Sequence, residues 1–292
     1  MVRQRGAIVV TGIGGEGIPD PAALRIGPGN LLSHVLSQVG PLVTTAVVTA
    51  AAGGPPPRIT ARVPAEVVKA PLPAGSRPPA RAVAEAAALL PDAVQEVAVL
   101  TGDLPHLTQR WLAGLFGAYA PGRGGVCARE GARLNPCVGV YGRDALRAGV
   151  VPPEPEARLL AGEGGLAGFP AEPEAEGLPS PAAAVRDAAT YRRALAVLGF
   201  CDPRAPAVTL ELYGSLRLRT GCAALPLHAA TVGAAVEALR RVYPELARTL
   251  GAPAGWGEHF RVAVNGGSVT TDAGRPLREG DALVLFSAEV GG

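Results

Sequence analysis

Through the first 200 residues, short apolar runs bounded by glycine or proline alternate with longer segments whose apolar positions recur every three or four residues. The runs AIVVTGIG (Ala7 to Gly14), TTAVVTA (Thr44 to Ala50), VVKA (Val67 to Ala70) and EVAVLTGD (Glu96 to Asp103) predict strands, the last of them buried on both faces. LLSHVLSQV (Leu31 to Val39), ARAVAEAAALL (Ala80 to Leu90) and the segment Thr108 to Gly117 predict helices between and after them. GGVCARE and NPCVGVY read as paired strands, and AATYRRALAVLG as a terminal helix. Such alternation predicts a largely parallel sheet with helices on both faces, a Rossmann-like α/β domain. Residues 151–180, rich in Pro, Glu and Gly, read as an exposed loop.

The pattern changes at CDPRAPA (Cys201 to Ala207), where two prolines interrupt any periodicity. This predicts a domain over 1–200, a linker over 201–206 and a second domain over 207–292. In the second part VTLELYGSLRLR reads as a long strand or the start of a hairpin, and AALPL as another strand. Thr231 is placed to N-cap the helix VGAAVEALRRVY, and a shorter helical piece, PELARTLG, follows. HFRVAVNG (His259 to Gly266) predicts a strand ending in an Asn-Gly turn, and ALVLF (Ala282 to Phe286) a last strand. Two strands, a helix and two strands make a small α+β domain.

Gly291 and Gly292 follow that last strand. With 39 glycines in 292 residues, a final Gly-Gly arises by chance in about 2% of such chains, so its surroundings must decide its meaning. Without Cβ atoms, two glycines pass through a channel that any side chain would block. The alternatives are a reactive carboxylate carried on a thin tail or a frayed terminus.

Composition narrows the class. With 48% hydrophobic and 18% charged residues the chain can bury real cores. A net charge of +2 without blocks of like charge gives no nucleic-acid footprint and no membrane-binding basic face. The opening apolar run meets glycines too early for a spanning helix, and a cytoplasmic protein is expected. Cys127, Cys137, Cys201 and Cys222 show neither metal-ligand spacing nor CxxC pairing, and read as small buried hydrophobes. Lys69 is the only lysine; the other basic residues are arginine, which stays protonated and supplies no tunable amine.

Residues 207–292 resemble the small subunit of molybdopterin synthase, a ubiquitin-like β-grasp sulfur carrier. The matching pieces occur in order: VTLELYGSLR, the helix start at Thr231 to Gly233, YPEL (Tyr243 to Leu246), VAVNGG, PLREGDALVLF and the closing Gly-Gly. The resemblance implies that a partner adenylating (E1-like) enzyme uses ATP to convert the Gly292 carboxylate to an acyl adenylate. A sulfur donor then replaces AMP to leave a thiocarboxylate. It implies that Gly291 keeps the approach narrow and that the large synthase subunit accepts the tail to build the dithiolene of molybdopterin. Phe286 is a candidate for that interface, with core packing as its alternative. No tightly bound cofactor is expected in the protein.

Residues 6–200 resemble molybdenum cofactor guanylyltransferases, which have a nucleotidyltransferase fold and join GMP from GTP to molybdopterin with Mg²⁺. GDLPHL (Gly102 to Leu107) corresponds to the family's Asp-x-Pro motif, and NPCVGVYGRDAL to its later substrate-side strand and helix. The resemblance makes Asp103 a candidate magnesium ligand; the alternative is a strand-end Asp capping the turn before Pro105. His106 reads as a turn residue. In the family's signature loop, backbone amides with an Arg and a Lys neutralise triphosphate charge. Here the loop reads TGIGGEGIPDPAAL. Gly12, Gly14 and Gly15 are the candidate phosphate cradle and Asp20 the candidate acidic residue, but Pro21 stands at the lysine position, the arginine is missing, and Glu16 adds negative charge. The chain therefore reads as a degenerate guanylyltransferase-like domain fused to a sulfur carrier, with an active GTP- and Mg²⁺-dependent enzyme as the alternative.

Overall fold

The computed structural model describes residues 4–11, 20–50, 58–60, 63, 65–71, 79–149, 166–173, 179–251, 260–267 and 269–287. The chain divides into two units, Met1–Leu24 with Gly29–Val185, and Arg25–Pro28 with Arg186–Gly292. No helix among the described residues is long and apolar enough to cross a membrane.

The first unit is an α/β domain. Its strands are β1 (Gln4–Val10), β2 (Thr45–Ala50), β3 (Glu66–Pro71), β4 (Val94–Thr101), β5 (Gly125–Glu130), β6 (Arg133–Gly142) and β7 (Leu166–Pro170), in the sheet order β3-β2-β1-β4-β6-β5-β7. The first four in that order are parallel, whereas β6 is antiparallel to both β4 and β5. Alternation along each strand divides the apolar side chains between two cores. Ala7, Val9, Val48 and Leu100 pack with α1 (Leu31–Val39) and α3 (Gln109–Ala118). Ile8, Val47, Val97 and Val99 pack with α2 (Pro79–Ala88) and with Leu146 of α4 (Arg143–Arg147). Both faces are covered, so the central strands read as continuous hydrophobic runs.

One element departs from the expected loop over 151–180: β7 lies inside it, paired in parallel with β5 at Val126↔Ala167 and Cys127↔Gly168. The run LAGFP buries only Leu166 fully and ends in a proline at the sheet edge, so it carries little apolar signal. The cysteine expectation holds for Cys127 alone, which is buried; Cys137, Cys201 and Cys222 are intermediate in exposure, and none of the four forms a disulfide. Burial pushes the Cys127 thiol up to about 12.

The second unit begins earlier than residue 207. Helix α5 (Ala188–Val197) packs against β9 (Ala224–His228), burying Tyr191, Ala194 and Leu195, and so groups with the C-terminal segment rather than with residues 1–185. Arg25 belongs here as well: its guanidinium makes two hydrogen bonds to Glu245 (3.1 and 2.9 Å) and lies 5.6 Å from the Tyr243 ring centroid, while Tyr191 Oη donates to its carbonyl at 2.6 Å. The proposed linker over 201–206 is a turn in which Ala205 N donates to Asp202 O.

The sheet of this unit contains β8 (Ala207–Leu212), β9, β10 (Phe260–Val264), β11 (Val269–Thr270) and β12 (Ala282–Ser287), in the order β9-β8-β12-β10-β11. β8 and β12 are parallel neighbours at the centre and every other pairing is antiparallel. Val208, Leu210, Leu283 and Leu285 are buried, together with Val236 and Leu239 of α7 (Val232–Val242). Thr231 N-caps α7 by accepting from Ala234 N at 3.1 Å. Of the two readings of VTLELYGSLRLR, the hairpin start holds, since β8 pairs antiparallel with β9, whereas the long strand stops at Leu212: Gly214 turns at φ 58 and SLRLRT forms α6 (Ser215–Thr220). The alternating Leu and Arg of this helix mimic strand periodicity, although only Leu216 is buried.

Candidate functional site

In an open α/β sheet, ligands bind beyond the carboxyl ends of the strands where the strand order reverses. Here that point lies between β1 and β4, because β2 and β3 extend from the other side of β1. Gly102 N donates to Val10 O at 2.9 Å, bringing the two strand ends together, and Asp103 follows at once. On the other side, Thr11 N donates to Thr49 Oγ1 at 3.3 Å and Thr11 Oγ1 donates to Thr49 O, fixing the end of β1 to that of β2. These two threonines are buried, at 4% and 0% exposure, and sequence reasoning missed them. A threonine at the end of an apolar run carries no distinguishing signal.

Asp20 and Asp103 are brought to this same edge. A Cβ on Gly102 would lie 3.0 Å from both Ala22 Cβ and Thr11 Cγ2, so the short turn Pro21–Ala23 packs directly on the start of the Asp103 loop. Asp103 is 7% exposed, and its carbonyl accepts from Val185 N at 3.0 Å. Burial raises the Asp20 carboxyl above the ordinary carboxylate range, opposed by hydrogen bonds from the backbone of Ala22 and Ala23. Its Oδ1 is buried without a hydrogen-bond partner among the described residues. Pro21, at the position of the missing lysine, occupies the first position of its turn, where a proline loses no needed N–H. Gly12, Gly14 and Gly15 lie outside the described residues, as does Glu16. Lys69 is exposed on β3, separated from β1 by β2.

A polar network stands at the start of α1. Asn30 Oδ1 accepts from Ser33 N at 2.9 Å as an N-cap, Asn30 Nδ2 donates to Arg58 O at 2.7 Å, and Thr60 N donates to Ser33 Oγ at 2.9 Å. The helix LLSHVLSQV was expected from its spacing; its cap at Asn30 and the partners at Arg58 and Thr60 were not. A cavity of about 400 Å³, lined among others by Asp92, Glu96, Tyr119 and Arg143, lies at the amino end of β4 and is separate from the Asp103 edge. Among the described residues no group of three or more His, Cys, Asp or Glu could hold a metal. One or two carboxylates are what the edge offers, the set Mg²⁺ takes when nucleotide phosphates and water supply the rest of its shell.

In the second unit the end of β12 is the point of interest. Leu283 and Leu285 are fully buried, while Val284 and Phe286 lie on the opposite face and Phe286 is half-buried. Phe286 pairs with Arg261 across the antiparallel ladder to β10. β10 ends at an Asn-Gly turn as expected, with Asn265 at φ 54, and the side chain of Asn265 meets the start of β12: Ala282 N donates to Asn265 Oδ1, and Asn265 Nδ2 donates to Asp281 Oδ1, both at 2.8 Å. That amide, with the Arg278 backbone N–H, holds the Asp281 carboxyl below its ordinary value. Gly291 and Gly292 lie outside the described residues.

Residues 14–150 match the family model of the MobA-like NTP transferase domain. The first unit is thus a nucleotidyltransferase-like α/β domain. Among solved structures, SAMP1 from Haloferax volcanii is similar at 29% identity, covering 30% of this chain and 99% of its own, with a TM-score of 0.27. Rv0371c from Mycobacterium tuberculosis is similar at 14% identity over 67% of this chain and 98% of its own, with a TM-score of 0.49. A 4-diphosphocytidyl-2C-methyl-D-erythritol synthase from Anaerococcus prevotii is similar at 11% identity over 67% and 96%, with a TM-score of 0.46. No curated protein matches the chain.

Proposed function

We propose that the second unit is a ubiquitin-like β-grasp sulfur carrier for molybdenum cofactor synthesis, joined to a nucleotidyltransferase-like domain. The order β9-β8-β12-β10-β11 carries this reading. The first and last strands of the unit run side by side and parallel at its centre, and the last leads into Ala288, Glu289, Val290, Gly291 and Gly292. β12, which the tail follows in sequence, is hydrogen-bonded on both sides. A partner adenylating enzyme transfers AMP from ATP to the Gly292 carboxylate, releasing pyrophosphate. A sulfur donor then displaces AMP, leaving the thiocarboxylate. The large subunit of molybdopterin synthase receives the tail, with Gly291 keeping the approach narrow. Phe286, on the face away from Leu283 and Leu285, is available to that partner. The test is the intact mass of the full chain after incubation with its adenylating enzyme, ATP and sulfide. One oxygen exchanged for sulfur, absent in a variant lacking Gly292, is the expected result; no change under conditions that thiolate a known carrier would overturn it.

A second reading, GTP- and Mg²⁺-dependent guanylyl transfer by the first unit, is favoured by Asp103 at the strand-order reversal, where Gly102 packs on the turn that follows Asp20. Asp103, aided by Asp20, would hold Mg²⁺, whose chemistry is to neutralise charge on the transferring phosphate. The sequence counts against it, since the loop lacks both signature cations. Nucleotidyl transfer abolished by Asp103→Ala supports this reading, and the absence of nucleotide binding overturns it.

A further inference from the structure

The chain holds three asparagines, and the residue after each sets the reactivity of its amide. Asn30 precedes Leu31, whose branched side chain hinders approach to the amide, and Asn135 precedes Pro136, which has no N–H to react. Asn265 precedes Gly266, whose N–H is unhindered. In deamidation the Gly266 nitrogen attacks Asn265 Cγ and closes a five-membered imide. The Cγ–Nδ2 bond breaks, and Nδ2 departs as ammonia with the proton lost by Gly266. Water then opens the imide at either carbonyl, leaving an aspartate or an isoaspartyl link with an extra methylene in the backbone. No oxidant or reductant takes part.

Asn265 and Gly266 are exposed at the tip of their turn, at φ 54 and 65, so water reaches the site. The amide itself is tied away from Gly266. Asn265 Oδ1 accepts from Ala282 N and Asn265 Nδ2 donates to Asp281 Oδ1, both at 2.8 Å, while Asn265 N donates to Ala282 O at 2.7 Å. Turning Cγ toward Gly266 N takes both polar atoms of the amide off these partners. Asp281 is fixed in turn: its Oδ2 accepts from Arg278 N at 2.8 Å, and its carbonyl accepts from Thr209 N at 3.0 Å. The Asn265 amide thus joins the end of β10 to the start of β12 at the residue where β12 meets β8.

We propose that Asn265 is a latent deamidation site, withheld from reaction by Asp281 and Ala282, and that its conversion to a carboxylate unlatches the start of β12. Reaction removes Nδ2, the donor to Asp281, and sets a second carboxylate against Asp281 Oδ1. An isoaspartyl link also lengthens a backbone whose two central turn residues are both left-handed. Damage therefore falls on the central strand of the second unit and is admitted only when that strand's start has already opened.

The test is ageing of the full chain in mildly alkaline buffer, with peptide mass spectrometry for amide-to-acid conversion and an isoaspartyl methyltransferase assay for the isoaspartyl product. Native wild type converts Asn265 at least about tenfold more slowly than the same chain unfolded in urea. Asp281→Ala speeds the native reaction about ten- to a hundredfold, the range for losing one hydrogen bond to a charged group. Asp281→Asn keeps an acceptor oxygen at the same place and reacts more slowly than Asp281→Ala, with amide exchange in β8 and β12 verifying that both variants are folded. Asn265→Asp, the product, exchanges its Thr209 and Ala282 amides faster than wild type, and adding Asp281→Asn to it restores protection. Native and unfolded chains reacting at one rate, or equal native rates in wild type, Asp281→Asn and Asp281→Ala, overturns the withholding. Wild-type exchange at Thr209 and Ala282 in Asn265→Asp overturns the unlatching.

Discussion

Leu285 and Phe286 are neighbours in sequence on opposite faces of one strand, and their replacement by alanine should separate stability from function. Leu285 is 0% exposed in the central strand, paired with Leu212 on one side and Val262 on the other. Leu285→Ala removes buried methyl groups and leaves a cavity that two hydrogen-bonded neighbours keep from collapsing, a cost of about 2–5 kcal/mol. Phe286 is half-buried on the open face, so Phe286→Ala forfeits part of its apolar area without an internal cavity, about 1 kcal/mol. Hydrogen exchange of the β8 and β12 amides in the full chain reads the stability of this unit without requiring both units to unfold together. The leucine variant should lose protection by a factor of roughly 30 or more, and the phenylalanine variant by less than about tenfold. In assays with the large synthase subunit the order should invert, with the folded Phe286→Ala protein showing the larger binding defect. Equal loss of protection in the two variants would refute the assignment of their side chains to opposite faces.

Three further outcomes are expected. Gly102→Ala places a methyl 3.0 Å from both Ala22 and Thr11, and should cost about 1–3 kcal/mol in urea titrations while disturbing the Asp103 edge; a neutral result would mean the turn Pro21–Ala23 yields freely. Thr231→Ala removes the N-cap of α7 and should cost about 1 kcal/mol, read as faster amide exchange in the first turn of that helix, whereas Thr231→Ser should restore it. Burial lowers the His34 imidazole below 6.5, opposed by a hydrogen bond with the Leu107 backbone, and its Nε2 is buried without a partner among the described residues. Below pH 6.5 the unfolded chain takes up a proton that the native His34 refuses, so stability should fall as pH drops from 6.5 toward the lowered native value. His34→Gln should flatten that part of the pH profile, and an unchanged profile would remove His34 as its source.

The legibility of this chain followed the strength of each local signal. α1 was readable from its apolar periodicity, and α7 because periodicity and a capping residue, Thr231, agree. The Asn265-Gly266 turn was readable because its backbone demands those residues. β7 was hidden, since an edge strand ending in Pro170 buries too little to show periodicity. α6 was misread because Leu216 and Leu218 alternate with arginines, and only tertiary packing decides that one is buried and the other exposed. The expected boundary near 200 fell where composition changes, whereas α5 is placed by its packing on β9, a contact that composition does not encode. At the first site, Gly102-Asp103 was visible as a motif, but its packing against Ala22, in the turn after Asp20, is a tertiary contact. The clamp between Thr11 and Thr49 depends on a pairing across 38 residues that no local pattern reports.

The central claim concerns one carboxylate, and peptide-level mass spectrometry after the thiolation reaction tests it most directly. The account predicts a single oxygen replaced by sulfur on the fragment ending in Gly292, dependent on ATP, and the same fragment linked to AMP when sulfide is withheld. Sulfur added to Cys127, Cys137, Cys201 or Cys222 as a persulfide, with the Gly292 fragment unchanged, would contradict it.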